Sequence, residues 1–449
     1  MATKKDLIEA QGFSRRRLLS AFTSGAPGGK ELEPAAPLRA VAAGVVLSAM
    51  IILAGVFYGL LRPGLPNGWE NNTLLLVKDS GARYLTIDSV LYPVINTASA
   101  RLLMPSGKFS VVTTDKDTLD GIEVGPTIGI LGAPDDIPSP DALINDGWSA
   151  CVTEEGGTAV TLPNGRLLAA ADRASVVELD ERLYVVAGSI RYEVSSNEAD
   201  AVLRSVGLNA GAAVPVDARW LNLFDEGAPL QPIVVSNAGD TLAGTDLTIG
   251  EVLHPEGSAA SELYLVSDAG SLARLSPLAY QLYLLGSGAF LGGERDVSPA
   301  VTRDLPTATN PAGGLDWPTE PLVALDRGVT PCAILEHDES GQPQTSFATL
   351  TDQNNLDVAG VAVDPSGGAL IRVGGSDQTD AGLIYLVDES GTAYPVPGAD
   401  ADIVGRLGYD LDDVALVPGS WLQFLAAGPD LTEAAAGSAP KPVTAAAGE

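Results

Sequence analysis

The sequence predicts an α+β protein in which small ββα-like modules flank a central β-sheet domain, with a single apolar helix near the N-terminus crossing a membrane. Three observations carry this expectation. An uncharged apolar run extends from Ala40 to Leu61, a strand-and-turn motif recurs along the chain, and two cysteines lie far apart beyond the run. Composition agrees. Glycine (50) and proline (31) are frequent among the 449 residues and aromatics make up only 5%, which favours short elements joined by tight turns over long helices. Apolar residues at 45% suffice for a packed core.

The run AVAAGVVLSAMIILAGVFYGLL (40–61) is bracketed by Arg39 and Arg62. As a helix it would be roughly 33 Å long, close to the thickness of a hydrocarbon core. A buried core helix rarely runs this far without a polar face. Residues 1–40 hold Lys4, Lys5, Arg15, Arg16, Arg17, Lys30 and Arg39 against Asp6, Glu9, Glu31 and Glu33, a net of +3 in a chain of net −31. Cations before the span and acids after it predict a cytoplasmic N-terminus and an extracytoplasmic C-terminal domain. The segment SRRRLLS (14–20) looks like a twin-arginine signal. The apolar run begins well after it, however, is long for a signal peptide, and is followed by RPGLPNGW without a small-x-small site. A signal anchor is therefore expected over a cleaved leader. The acidic field of the large domain repels phosphate backbones and argues against a nucleic-acid partner.

Cys151 and Cys332 are the only cysteines, and both follow the span. Outside the cytoplasm thiols oxidise, so one bridge between them is the simple expectation, with two buried free thiols as the alternative. A bridge would make the segments around 151 and 332 neighbours in one domain.

Three segments share an apolar strand ending in Val and a polar turn closed by Gly: LLLVKDSG (74–81), LYLVSDAG (263–270) and IYLVDESG (384–391). Gly81, Gly270 and Gly391 suit the positive φ of a tight hairpin. LYVVAGSIRYEV (183–194) belongs with them but lacks the acidic turn. The copies beginning at Leu183 and Ile384 stay in register as far as WLNLFDEGAPL (220–230) and WLQFLAAGPDL (421–431). Trp220, Leu221 and Phe224 thus match Trp421, Leu422 and Leu425, a spacing that fits one apolar face of a short helix and a core role in each repeat. Between the repeats, TAVTLP (158–163) and ASVVELDERLYVV (174–186) alternate as strands do.

The resulting organisation is a basic arm at 1–39, the membrane helix at 40–61, and repeats at 70–119, 183–232, 233–294 and 379–432. The central β-domain is split between 120–182 and 295–378, and a disordered tail covers 433–449.

No catalytic constellation emerges. Two histidines, His254 and His337, and two cysteines cannot assemble a multi-His or Cys-rich metal site, and both histidines stand in turn-like contexts expected to be solvated. There is no GxSxG elbow. GAPGGKE (25–31) and PSGKFS (105–110) contain Gly-Lys but lack GxxxxGK[ST]. DLDD (410–413) reads as a solvated acidic loop, since the EF-hand pattern is missing. The expectation is no cofactor, no metal and no enzyme.

The layout and several separated motifs resemble EccB, the membrane subunit of actinobacterial type VII (ESX) secretion systems. GARYLTIDSVLYPVINTASARLLM (81–104) resembles the family's first-repeat signature. GAPDDIP (132–138) with Trp148-Ser149-Ala150-Cys151 and PCA (331–333) resemble the surroundings of its two cysteines, and 384–396 with 421–431 look like its last repeat. The resemblance implies an elongated extracytoplasmic part with four repeats around the central β-domain, and homodimer contacts. It also implies partnership with EccC (the motor ATPase), EccD, EccE and the mycosin protease. QGFSRRRLLSAF (11–22) resembles the family's docking arm, and its basic character equally suits anionic lipid. Family members are sometimes labelled ATPases, a label the missing Walker motif does not support. The function expected is a non-enzymatic scaffold of the secretion channel; the alternative is a membrane-anchored module that binds cell-wall peptidoglycan.

Overall fold

The structure is a computed structural model that describes residues 3–24, 37–61, 65–163, 167–170, 172–195, 197–350, 359–374 and 382–441. It divides into two units, Met1–Leu65 and Pro66–Glu449. The first unit holds α1 (Lys4–Ser24) and α2 (Pro37–Leu61). Among the described residues, Ala40–Gly59 in α2 is the one stretch long and apolar enough to cross a bilayer. Within it, Ser48 Oγ turns back to the Gly44 carbonyl at 2.9 Å, which satisfies it without water.

Among the described residues the second unit is a mixed α+β assembly of five sheets. The first sheet contains the antiparallel strands β1 (Thr73–Val77), β2 (Arg83–Ile87) and β3 (Val90–Pro93). The chain then enters α3 (Thr97–Leu103), capped by Asn96, whose side chain accepts from Ser99 N at 3.0 Å. It returns as β4 (Val111–Thr114), parallel to β1. Next come β5 (Trp148–Val152), β6 (Thr158–Leu162) and β7 (Leu167–Ala169) of a different sheet.

The second module repeats the first pattern and extends it. The strands β8 (Arg173–Leu179), β9 (Arg182–Ala187) and β10 (Ile190–Val194) form a meander, followed by α4 (Ala199–Ser205) and β11 (Val214–Pro215), which is parallel to β8. A short α5 (Ala218–Leu221) then leads to β12 (Asp225–Leu230), parallel to β10. The third module has β13 (Val252–Pro255), β14 (Leu263–Val266), β15 (Leu272–Leu275), α6 (Pro277–Leu285), α7 (Gly288–Leu291) and β16 (Arg295–Val297), the last parallel to β13, and then α8 (Pro299–Asp304). The short β17 (Val323–Ala324) joins β8.

Strands β18 (Pro331–His337), β19 (Pro343–Leu350) and β20 (Gly360–Val363) complete the central sheet, in the order β20-β6-β5-β18-β19-β7. The fourth module follows with β21 (Ala369–Val373), β22 (Leu383–Val387), β23 (Thr392–Val396), α9 (Ala401–Leu407), β24 (Ala415–Val417), α10 (Gly419–Leu422) and β25 (Ala426–Ala427). Again β24 is parallel to β21, and β25 to β23. A last helix, α11 (Glu433–Ala436), closes the described chain.

The unit that recurs is thus longer than ββα: three antiparallel strands, a helix, and a strand returning beside the first. The turn motif does not mark one place in it. Gly81 (φ +66°) closes the first hairpin of its sheet, whereas Gly270 (+74°) and Gly391 (+75°) close the second. Any antiparallel hairpin can use a left-handed glycine, so turn chemistry reports a hairpin and not its rank. The strands that open the second and fourth modules, β8 and β21, lie ahead of residues 183 and 379, and β16 lies after 294. The side chains of β8 and β21 are buried along most of their length, which in sequence looks like a central strand.

Residues 433–438, expected in a disordered tail, are packed. Ala436 is fully buried, Gly129 N donates to the Ser438 carbonyl at 3.1 Å, and Glu433 pairs with Arg406. Residues 442–449 of that expected tail lie outside the described residues.

Candidate functional site

Strand alternation gives the central sheet two chemically distinct faces. Trp148, Ala150, Val152, Ala333, Leu335 and Phe347 point into a core shared with the second and fourth modules. Cys151, Cys332, Ile334 and Ala348 form the opposite face. Cys151 on β5 stands directly opposite Cys332 on β18 in antiparallel register, and the two are joined by a disulfide. Both cysteines are buried, and the bridge staples the two halves of the central sheet that the chain visits far apart.

The matched tryptophans sit on the other face. Trp220 on α5 is fully buried and donates Nε1–H to the Ala150 carbonyl at 3.0 Å. Trp421 on α10 is equally buried and donates Nε1–H to Thr345 Oγ1 at 2.9 Å. Trp421 also meets the edge of Trp148, with ring centroids 6.2 Å apart, and Trp220 packs on Phe224 at 5.0 Å. Asp217 prepares the first joint by accepting from Trp220 N at 2.8 Å, capping α5, and from Thr158 Oγ1 on β6 at 2.9 Å. Leu221 is buried in the same core, while Leu422 and Leu425 are half-buried against it. These residues lie where modules meet the central sheet, a wider core than that of one repeat. Gly391 also lies at this boundary, because a Cβ there would press on Val361 of β20 at 2.7 Å. At Gly81 a Cβ would meet open space, and at Gly270 it would approach Leu242 at 3.2 Å.

The remaining joints pair modules through their helices. The first and fourth modules share a core in which Ala98 and Leu102 of α3 pack with Val404 and Leu407 of α9. Arg101 Nη1 donates to the Leu407 carbonyl at 2.6 Å, and Arg406 Nη1 donates to the Leu102 carbonyl at 2.9 Å. Burial pulls the Arg101 guanidinium below its usual pKa, partly offset by Tyr409. The second and third modules share a core that includes Val202 and Leu203 of α4 with Leu278 and Leu282 of α6.

Neither histidine is a solvated loop residue, which corrects the sequence expectation. His254 lies on β13 and His337 ends β18, with side chains 18% and 15% exposed. His337 Nε2 donates to the Leu416 carbonyl of β24 at 2.7 Å, and its Nδ1 lies 3.1 Å from Asp146 Oδ1. Asn145 adds to this seam, donating to the Asp413 carbonyl at 2.7 Å and accepting from Leu370 N at 3.2 Å. The turn-like residues that follow each histidine disguised a strand end. Sequence reasoning also missed the role of the two arginines, although an Arg-Leu pair stands in the last turn of both α3 and α9. Among the described residues no group of three or more His, Cys, Asp or Glu is placed to hold a metal.

Comparison with known proteins then becomes informative. The family described as "Type VII secretion system ESX-1, transport TM domain B" matches residues 1–441. The "ESX-3 secretion system ATPase EccB3" of Mycobacterium tuberculosis is 26% identical over 460 residues, covering 89% of this chain and 83% of the relative. The "ESX-5 secretion system ATPase EccB5" of Mycobacterium marinum is 26% identical over 361 residues, covering 73% and 68%. A chain of an intact ESX-5 inner membrane complex superimposes with TM-score 0.70 at 22% identity, covering 100% of this chain and 98% of the other. A chain of the EccB3 dimer from the ESX-3 core complex gives 0.65 at 23%, covering 82% and 100%. These relatives are named ATPases, which overturns the expectation that the chain is not an enzyme. Lack of GxxxxGK[ST] excludes one kind of phosphate cradle and not nucleotide hydrolysis as a class.

Proposed function

The chain belongs to the EccB family of type VII secretion membrane proteins, and from that premise we propose that it is a core membrane subunit of an ESX inner membrane complex that acts by assembly. The observation that carries the reading is the family match across residues 1–441, which takes in the apolar helix and all five sheets. The basic residues before α2 and the acidic domain after it support a cytoplasmic α1 and an extracytoplasmic Pro66–Glu449. We read the four recurring sheets as repeats around the disulfide-closed central sheet, with Trp220 and Trp421 as the joints that keep two of them at fixed angles. A rigid ectodomain of this kind suits contact with a second copy and with the EccC-type motor, EccD, EccE and mycosin partners of the family.

Affinity purification of the full chain from detergent-solubilised membranes tests this. Co-purification of a motor ATPase and other secretion subunits is expected, together with cross-links between two copies of Pro66–Glu449. Recovery of the chain alone would sink the reading, and retention on purified peptidoglycan would favour the wall-binding alternative. Because the relatives carry the ATPase name, the same preparation should be assayed for ATP hydrolysis with and without the co-purified motor.

A further inference from the structure

Among the described residues, the three most exposed large apolar side chains of Pro66–Glu449 are Val234 (78%), Phe290 (71%) and Leu315 (70%). They come from three segments that pack side by side. Ile233 and Val235 flank Val234, and both bind Ser287 at the start of α7. Ser287 N donates to the Ile233 carbonyl at 3.0 Å, and Ser287 Oγ accepts from Val235 N at 2.9 Å. Phe290 lies three residues on, within the single turn of α7. On the other side, Trp317 Nε1 donates to the Ala228 carbonyl at 2.9 Å, and the Asp316 carboxylate accepts from Ala228 N at 3.0 Å. These bonds fasten the chain around Leu315 alongside 228–235, so the three segments are tied to one another before anything docks.

This ground is also free of charge. Residues 227–239, 275–293 and 305–315 hold no Asp, Glu, Lys or Arg. The domain around them is strongly acidic: residues 1–65 hold +4 of the chain's net −31, which leaves −35 on 66–449. A basic partner would be drawn to that acidic surface and would gain nothing from an uncharged face. A second copy carries the same −35, and like charges set opposite one another cost several kcal/mol. Two copies therefore meet with least repulsion where neither presents a charge. The area agrees. At these exposures Val234, Phe290 and Leu315, with Leu285 (36%) beside them, offer roughly 400 Å2 of apolar surface, about half of the ~800 Å2 that each partner gives to a standard interface. An apolar centre inside a polar rim is the anatomy of contacts between identical chains.

We propose that this face, centred on Val234, is where a second copy of the chain docks, in a two-fold arrangement that sets Val234 opposite Val234. The inference rests on the reading above that the chain works in contact with a second copy, and it assigns the surface that makes the contact. Because the contact is apolar and joins like-charged bodies, added salt strengthens it, whereas a contact between opposite charges would weaken.

The full chain in detergent provides the test. Its two cysteines are joined, so Val234→Cys adds a single reactive thiol. That variant should cross-link to a second copy through a short bis-maleimide, and pairing should tighten as NaCl is raised to about 0.5 M. Val234→Asp combined with Phe290→Asp should weaken pairing about tenfold or more, with an unchanged unfolding midpoint because both side chains already face water. Val124→Asp, at a side chain 57% exposed beside β3, should leave pairing unaltered. If the unaltered chain pairs at no salt concentration, the face and the reading it rests on fall together. If the double variant pairs as tightly as the unaltered chain, the face falls and the reading stands. Pairing that salt weakens also removes the face. So does loss of a co-purified subunit from the double variant while two copies still pair, since the seat then belongs to another protein. Should the double variant misfold, the Val234→Cys cross-link decides alone: its absence in a chain that light scattering shows to be paired overturns the proposal.

Discussion

Arg101 and Arg406 cap each other's helices: each reaches across from its own helix and donates to a carbonyl near the C-terminal end of the other's. The last carbonyls of a helix lack intrahelical donors and carry the negative end of the helix dipole, so a cation there meets two needs at once. Gly408, in a left-handed conformation just past α9, leaves the space, because a Cβ at that position would collide with Arg101 Nη1. The two arginines are far apart in sequence, and the exchange fastens the module that follows the apolar helix to the module that ends the described chain.

Replacing Arg101 by Ala strands the Leu407 carbonyl and removes a guanidinium lying 4.5 Å over the Phe109 ring. A loss of about 1.5–3 kcal/mol is expected in denaturant unfolding followed by tryptophan fluorescence. Arg406→Ala should cost less, since its partners Asp402 and Glu433 are themselves exposed and lose little when it goes. Equal losses for the two variants would mean that the exchange is ornamental and packing alone joins α3 to α9.

Trp421→Ala should cost about 3–5 kcal/mol, as should Trp220→Ala, through cavities in the core shared with the central sheet. The Trp148–Trp421 edge contact adds a discriminating measurement. A double-mutant cycle on that pair should return a coupling of about 0.5–1.5 kcal/mol, whereas Trp148 with Trp220, which make no ring contact, should be nearer to additive. Wild-type stability combined with failed complex assembly would instead make these tryptophans partner contacts.

Opening the disulfide removes a constraint between residues 181 apart in sequence, for which the chain-entropy treatment gives roughly 5 kcal/mol. Cys151→Ala with Cys332→Ala should lower the denaturant midpoint accordingly, and reductant should act slowly because both sulfurs are buried. Peptide mapping with and without reduction checks the pairing directly.

The cysteine pair was legible because two cysteines beyond a membrane span have one simple oxidised outcome, and the closeness of the segments around 151 and 332 follows from it. The hairpins were legible for a similar reason, since an apolar strand followed by an acidic turn and Gly is local information. Module boundaries were not. The segment holding β8 was legible as strand but not the sheet it joins, and β21, buried over most of its length, lacks the alternation that distinguishes a half-exposed strand. The parallel strands β11, β24 and β25 are two or three residues long and leave no periodicity at all. Long-range partnerships such as Arg101 with Leu407 or His337 with Leu416 depend on tertiary placement, and an Arg-Leu or His-Asp dipeptide alone does not announce them.

Three buried tyrosines give the fold an alkaline limit. Tyr409 donates to the Pro138 carbonyl at 2.6 Å, Tyr394 to Asp388 Oδ2 at 2.9 Å and Tyr192 to the Asp316 carbonyl at 2.7 Å. Burial raises the pKa of each, and a nearby carboxylate adds to the rise in every case. These groups stay neutral in the fold where an unfolded chain would ionise them, so their contribution is complete below about pH 10 and is lost as pH climbs beyond it. Absorbance at 295 nm should show them ionising late and together with unfolding, after exposed tyrosines have titrated. Tyr409→Phe should lose about 1 kcal/mol at neutral pH and show a shallower fall in stability above pH 10. Ionisation of Tyr409, Tyr394 and Tyr192 at the ordinary value with the fold intact would mean that these hydroxyls are reached by water and contribute nothing to the joints they span.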